Sequence, residues 1–202
     1  SVSDKVGAPY EPPADGPLRV LVIGGSQGAR ILSTRIAPAL AALPEALRSR
    51  LSVAHQARAE DAAAVTGIYA AASIDAEVSP FFADVPERLA ACQLVISRSG
   101  ASSVADISAI GRPALLIPYA VATNDHQTAN AKGLVSSGGA ELLPEAQLNI
   151  PAAASRIEAI LTDPQKALSM AEAARQQGRP DAANRLADLV ESLAKRQKQK
   201  GQ

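Results

Sequence analysis

The feature that most constrains this chain is a repeated alternation of short apolar runs and helical stretches. Leu18 to Ile23 is an apolar run that stops at Gly24-Gly25, a buried strand meeting a turn. From Ala29 to about Leu43 the apolar residues recur at helical spacing, with Ile31, Leu32, Ile36, Leu40 and Leu43 on one side. The cycle then repeats, with strands near 51–55, 74–78, 94–97, 114–117 and 140–143 and helices near 60–71, 85–92, 102–110 and 126–136. Strands that alternate with helices imply an α/β fold, a Rossmann-like parallel sheet with helices on both faces. Past Pro151 only helices are expected, near 151–162, 165–176 and 180–196. Ahead of the first strand, Gly7, Pro9, Pro12, Pro13, Gly16 and Pro17 mark 1–17 as a linker or extended arm. The expected division is therefore the arm 1–17, one unit over 18–196 and a frayed basic tail over 197–202.

Composition narrows the function classes. The chain has 202 residues, with 20 Lys+Arg against 20 Asp+Glu and a formal net charge of zero. Such a balance gives no reason to expect a nucleic-acid binder driven by phosphate neutralisation. Aromatics are only 2%, which argues against a base-stacking platform. The single cysteine, Cys92, excludes an intrachain disulfide framework and a cysteine-based zinc site. Alanine, at 43 residues, implies a closely packed aliphatic core with helices lying near the sheet. No run reaches the roughly 18 apolar residues of a membrane span, and no signal peptide opens the chain, so the expectation is a soluble, cytoplasmic protein.

In open parallel sheets, ligands bind outside the carboxyl ends of the strands. Three loops expected there are unusual. The first is Gly24-Gly25-Ser26-Gln27-Gly28-Ala29, whose glycines let the backbone approach a ligand while the following helix start favours an anion. Its spacing departs from G-x-G-x-x-G. The second strand ends His55-Gln56 without the ribose-holding acid of a dinucleotide fold, and the Lys-Ser/Thr of a P-loop is missing. The second loop runs from Ser97 through Arg98, Ser99 and Gly100 to Ser103. Gly100 permits close approach, Ser102 or Ser103 can cap the helix, and Asp106 lies one turn in, within reach of a diol. A plain capping and dipole role for Ser102 and Asp106 explains the same residues. The third loop, Tyr119 to Asn130, is long and carries Asp125, His126, Gln127 and Asn130. Gln127 and Asn130 sit three apart, so both can face one cleft, and neutral amides suit sugar hydroxyls. His126 reads as a helix-start residue rather than a proton donor, and His55 as a strand end. No paired carboxylates, Ser-His-Asp set or metal cluster appears. Together the loops offer phosphate, diol and hydroxyl partners: a nucleotide-sugar pocket without an obvious catalytic base.

At these residues the chain resembles the carboxyl-terminal half of the MurG family, the bacterial peptidoglycan GlcNAc transferases that convert lipid I to lipid II. The matching stretches are L-R-V-L-V-I-G-G-S-Q-G-A-R-I-L (18–32), S-R-S-G-A-S-S-V-A-D-I (97–107), G-R-P-A-L-L-I-P-Y (111–119) and D-H-Q-T-A-N-A (125–131). The resemblance covers roughly 18–190 and implies the carboxyl-terminal, UDP-GlcNAc-binding domain of an inverting GT-B glycosyltransferase, a hexosyltransferase with no cofactor and no metal in the site. Carried over residue by residue, Ser26, beside Gln27, would contact the donor near its phosphates, and Phe82 would offer its backbone to uracil. Ala101, Ser102, Ser103 and Val104 would set a helix amino terminus, entered through Gly100, against the diphosphate. Asp106 would grip the ribose hydroxyls and Gln127 would read the GlcNAc hydroxyls, with His126 and Asn130 beside it. Arg98 would either help stabilise departing UDP or act as a structural ion-pair partner.

The family's acceptor-binding domain, with the lipid I site, the candidate base and most of the membrane contact, is expected ahead of residue 1. The full-length enzyme is therefore expected to be peripheral on the cytoplasmic face of the inner membrane, and this chain alone to bind donor without turnover. Two residues depart from the family pattern: position 106 is Asp where Glu is usual, and Arg58 replaces a glycine. Two alternatives share the donor half. One is a UDP-GlcNAc epimerase-like GT-B protein, which needs further acidic residues in the cleft. The other is a non-catalytic donor-binding subunit of a split GlcNAc transferase. The basic tail, with Lys195, Arg196, Lys198 and Lys200, reads as a solvated helix end rather than a lipid-binding face.

Overall fold

The computed structural model describes residues 1–25, 28–119 and 125–178. Ser26 and Gln27, residues 120–124 of the third loop, and the expected last helix and basic tail lie outside the described residues. Six strands form one sheet: β1 (Leu18–Ile23), β2 (Leu51–Gln56), β3 (Asp75–Ser79), β4 (Leu94–Ser97), β5 (Ala114–Leu116) and β6 (Ala140–Leu142). Their order is β3-β2-β1-β4-β5-β6 and every pairing is parallel. The chain first winds outward from β1 to β3, then returns to place β4 on the other side of β1. That reversal leaves a crevice above the carboxyl ends of β1 and β4, the position where such sheets bind ligands.

Alternating side chains feed two cores. On one face Leu18, Val20, Val22, Leu94, Ile96 and Leu115 pack under α1, a helix over 30–41, α3 (Ala59–Ala71) and α7 (Ile150–Leu161). On the other, Leu21, Ile23, Val95 and Leu116 meet α4 (Val85–Ala91), α5 (Ala101–Ile110), α6 (His126–Ser136) and α8 (Pro164–Gln177). Burial on both faces is why β1, β4 and β5 read as near-continuous apolar runs, while β2 and the edge strand β3 alternate. Close packing of helix on helix comes from glycine and alanine: a Cβ on Gly139 would stand 2.7 Å from the Ala174 nitrogen.

The first helix differs from its expectation over 29–43. Its middle, Leu32–Ile36, is wound as a π-helix, it ends at Ala41, and a separate one-turn helix α2 (Glu45–Arg48) follows Pro44. Pro44 disfavours helical geometry at Leu43 and the helix stops short of it, whereas Pro38 is accommodated within the helix.

The arm over 1–17 is fixed along the amino ends of β4 and β5. Arg112 is fully buried under the Tyr10 ring, 5.5 Å from its centroid. Its guanidinium donates to the carbonyls of Pro9 at 3.0 Å and Leu89 at 3.0 Å, and also to Ala8, Ala90, Ile110 and Gly111. The Tyr10 hydroxyl donates to the Gln93 carbonyl at 2.9 Å, and the Gln93 amide reaches back to the Glu11 carbonyl.

Candidate functional site

Two hollows open at the carboxyl edge, divided by the Gly24-Gly25 turn. The smaller, about 280 Å³, is bounded by Gly25, Gln56, Phe82, Ser102, Ser103 and Asp106. The larger, about 990 Å³, includes Gly24, Gly28, Arg58, Arg98, Gln127 and Glu145. Gly24 and Gly28 are required by geometry. A Cβ on Gly24 would fall 2.4 Å from the Ala29 nitrogen, and Gly28 has φ +70° with Arg58 Cγ 3.2 Å from where its Cβ would stand.

The smaller hollow brings together residues from three loops. Phe82 turns its ring inward, 5% exposed, and the Arg88 guanidinium covers it at 4.2 Å from the centroid. With the ring covered, the polar groups that Phe82 can offer a ligand are those of its backbone. Its neighbour Phe81 is the opposite, 70% exposed on the rim of the same hollow. Phe81 is not among the candidate residues named from the sequence; two adjacent phenylalanines in a chain of very few aromatics are the signal that points to it.

Helix α5 begins at this hollow. Gly100 is its N-cap, with no side-chain cap, so Ser102 and Ser103 lie inside the helix instead of capping it as expected. By contrast α7 and α8 are capped, by Asn149 accepting from the Ala152 N–H and Asp163 accepting from the Lys166 N–H, each at 2.9 Å. The first-turn amides of α5 thus keep their hydrogen-bonding capacity and partial positive charge for an anion. Asp106, half-buried, makes no hydrogen bond or ion pair among the described residues, and burial raises its pKa above the ordinary aspartate value. A diol could satisfy this carboxylate with two donated hydrogen bonds.

The other expected residues are distributed differently. Arg98 is buried at 8% exposure, pairs with Glu145, and donates to the carbonyls of Ile117 at 3.2 Å and Pro118 at 3.1 Å. Of the two roles open to it, this geometry is that of the ion-pair partner, and it ties the loops after β4, β5 and β6 together. Gln127 lines the larger hollow, where its Oε1 accepts from the Tyr119 N–H at 3.0 Å. Asn130 does not share that hollow. Its amide donates to the Ser99 carbonyl at 3.1 Å, and it lines a separate groove with Ala101 and Val104. His126 opens α6 on the exposed side, after Asp125 at φ +51°.

Glu60 and Glu145 also line the larger hollow, which sequence reasoning did not foresee; each is paired to an arginine, Glu60 to Arg58 at 3.0 Å. Arg58 is held a second time by Asp61 at 2.7 Å. No group of three or more His, Cys, Asp or Glu side chains suited to a metal ion occurs among the described residues. His55 turns away from both hollows: fully buried, it faces the Tyr69 hydroxyl at 2.7 Å, and burial pulls its pKa down to about 4. No helix of the described residues is long and apolar enough to cross a membrane.

Known proteins align with this arrangement. The glycosyltransferase family 28 C-terminal domain matches residues 19–186. A UDP-N-acetylglucosamine–N-acetylmuramyl-(pentapeptide) pyrophosphoryl-undecaprenol N-acetylglucosamine transferase of Paramagnetospirillum magneticum is 52% identical over 180 residues, 89% of this chain and 48% of that enzyme. The enzyme of the same name from Rhodospirillum centenum is 50% identical over 183 residues, 90% of this chain and 48% of that enzyme. The crystal structure of Acinetobacter baumannii MurG superposes with a TM-score of 0.81 at 32% identity, over 91% of this chain and 54% of that one. The chain thus spans about half the length of the curated relatives it matches.

Proposed function

The chain belongs to the glycosyltransferase family 28 C-terminal domain family, and from that premise we propose that it is the donor half of an inverting hexosyltransferase, binding UDP-GlcNAc for transfer to lipid I to give lipid II. The observation that carries the reading is the smaller hollow, where a helix start without a side-chain cap, a carboxylate with no partner among the described residues and the Phe82 backbone converge at the reversal point of the sheet. In this reading uracil lies against the Phe82 backbone, Asp106 accepts from the ribose hydroxyls, and the diphosphate rests on the first amides of α5. Ser26 and Gln27, on the Gly24-Gly25 side, would meet the same phosphates. The sugar then extends into the larger hollow, where Gln127 reads its hydroxyls.

As UDP departs, negative charge grows on the diphosphate. The fixed amide dipoles of α5 stabilise that charge without reorganising, which lowers the barrier to departure. The donor half needs no metal ion or other cofactor for this. The base that activates the acceptor hydroxyl, the lipid I site and most of the membrane contact would belong to the part of such enzymes that this chain does not match. The full enzyme would work at the cytoplasmic face of the inner membrane.

Calorimetric titration with UDP-GlcNAc, UDP-GalNAc and UDP, with and without Mg²⁺, tests the proposal. The expected result is binding that prefers GlcNAc over GalNAc and is indifferent to Mg²⁺. Equal affinity for the two sugars, or no binding of any of the three, would overturn it.

A further inference from the structure

Gln56 is the last residue of β2, and β2 lies between β1 and β3 in the sheet. From that central place its side chain reaches both neighbours along the carboxyl edge. Its Oε1 accepts from the Gly24 N–H at 3.2 Å, and its Nε2 donates to the Pro80 carbonyl at 3.2 Å. The amide's orientation is dictated, because a peptide N–H can only donate and a carbonyl can only accept. Only 6% of Gln56 is exposed, and it forms part of the wall of the smaller hollow.

We propose that Gln56 is a positioning residue that fixes the phosphate-side turn at Gly24-Gly25 against the base-side loop at Pro80-Phe81-Phe82, so that both ends of one nucleotide are met at once. The inference rests on the donor reading given above and adds a residue to it. Neither loop is otherwise bridged to the other by a side chain among the described residues. Gly24 has no room for a side chain of its own, since a Cβ there would stand 2.4 Å from the Ala29 nitrogen, so the tie to this turn is made to its backbone N–H. Pro80 has no N–H to donate, so the Gln56 side chain holds it through its carbonyl. A single amide holding both loops removes their relative motion before the ligand arrives, which is how preorganisation raises affinity for a ligand spanning the two.

The test compares UDP, which spans both loops, with uridine, which uses one. Affinities are measured by NMR titration for the wild type, Gln56→Ala and Gln56→Glu, beside the thermal unfolding midpoint of each. Gln56→Ala is expected to weaken UDP about tenfold while changing uridine by less than about twofold. Gln56→Glu carries the acceptor but, when ionised, lacks the donor. Its UDP affinity, taken as a ratio to wild type at the same pH, is expected to be poor near pH ~8 and to recover as the pH falls through the range in which the carboxyl, buried at this position, takes up a proton and donates to Pro80. Equal losses for uridine and UDP that follow the unfolding midpoint would overturn the role and leave Gln56 a stability residue. Unchanged UDP affinity in Gln56→Ala, or no recovery of Gln56→Glu at low pH, would also overturn it. A wild-type chain that binds neither ligand would instead remove the donor reading, and the positioning role with it.

Discussion

The two edges of the sheet use the same kinds of residue to opposite ends. At the amino edge a buried arginine, Arg112, is surrounded by backbone carbonyls, and Tyr10 and Gln93 complete a closed set of hydrogen bonds around the arm. At the carboxyl edge the helix start of α5 is uncapped and Asp106 stands without a partner among the described residues. Other side chains at this edge are partnered, among them Arg98 by Glu145 and two carbonyls, Arg58 by two acids and Gln56 by two loops. A polar group that is fully partnered holds the chain, whereas one left open at the mouth of a hollow is held for something else. The difference lies in satisfaction rather than residue type, and it separates stability from binding within one small fold.

The largest effect should come from the closed edge. Arg112→Ala strands several buried carbonyls at once and is expected to destabilise the chain by about 3–5 kcal/mol. Its unfolding midpoint would then fall by about 10 °C. UDP affinity measured well below that midpoint should stay as in the wild type. Loss of UDP binding by a folded Arg112→Ala chain would break the separation between the edges.

Next comes His55, which sits at the carboxyl edge but is turned into the core. Burial holds its folded pKa at about 4 against an ordinary value of 6.5, so between these pH values the unfolded chain binds a proton that the folded one refuses. This contribution is complete above pH 6.5 and is lost as the pH falls, by about 3 kcal/mol on reaching pH 4. Urea midpoints at pH ~7 and ~4 should show His55→Gln losing less than the wild type. Equal losses would mean that other groups govern the acid limb.

Asp106 sharpens the comparison from the open side. Asp106→Ala is expected to weaken UDP by about 10- to 100-fold, the value of hydrogen bonds to a charged group, with thermal stability unchanged or slightly higher. Asp106→Glu should tighten UDP by extending the carboxylate toward the ribose. In the wild type, affinity should fall as the pH drops through the raised Asp106 range, because a protonated carboxyl is a poorer acceptor. A stability loss without an affinity loss would make Asp106 structural. The smallest effect belongs to Gln127. Gln127→Ala should reduce the preference for UDP-GlcNAc over UDP-GalNAc several-fold, about 1 kcal/mol, and leave UDP nearly intact. An equal loss for all three ligands would take Gln127 out of sugar reading.

Much of this was legible in the chain itself. The pattern of apolar residues places all six strands to within a residue at each end: β1, β4 and β5, buried on both faces, leave a near-continuous apolar run, whereas β2 and β3 show alternation. The place of Ser102, Ser103 and Asp106 at the carboxyl edge followed from two rules, parallel strands and ligands at their carboxyl ends, whereas Phe82, in the same hollow, was pointed to only by the family resemblance. Asn130 shows the limit. Its spacing from Gln127 allowed a shared cleft, yet its amide is spent on the Ser99 carbonyl, a contact across 31 residues that no periodicity encodes. The pairing of Arg98 with Glu145, the docking of the arm on Arg112 and the double reach of Gln56 are of the same kind.

The sequence by itself determined the elements, their parallel sense and the edge at which a ligand would be met, because local periodicity and glycine-bearing turns act within a few residues. Only the tertiary structure decided which polar groups on those loops are already satisfied, since partners arrive from strands that the order β3-β2-β1-β4-β5-β6 makes neighbours. Satisfaction is a property of three-dimensional proximity, so the division between residues that hold the fold and residues left open for a ligand appears only once the sheet is assembled.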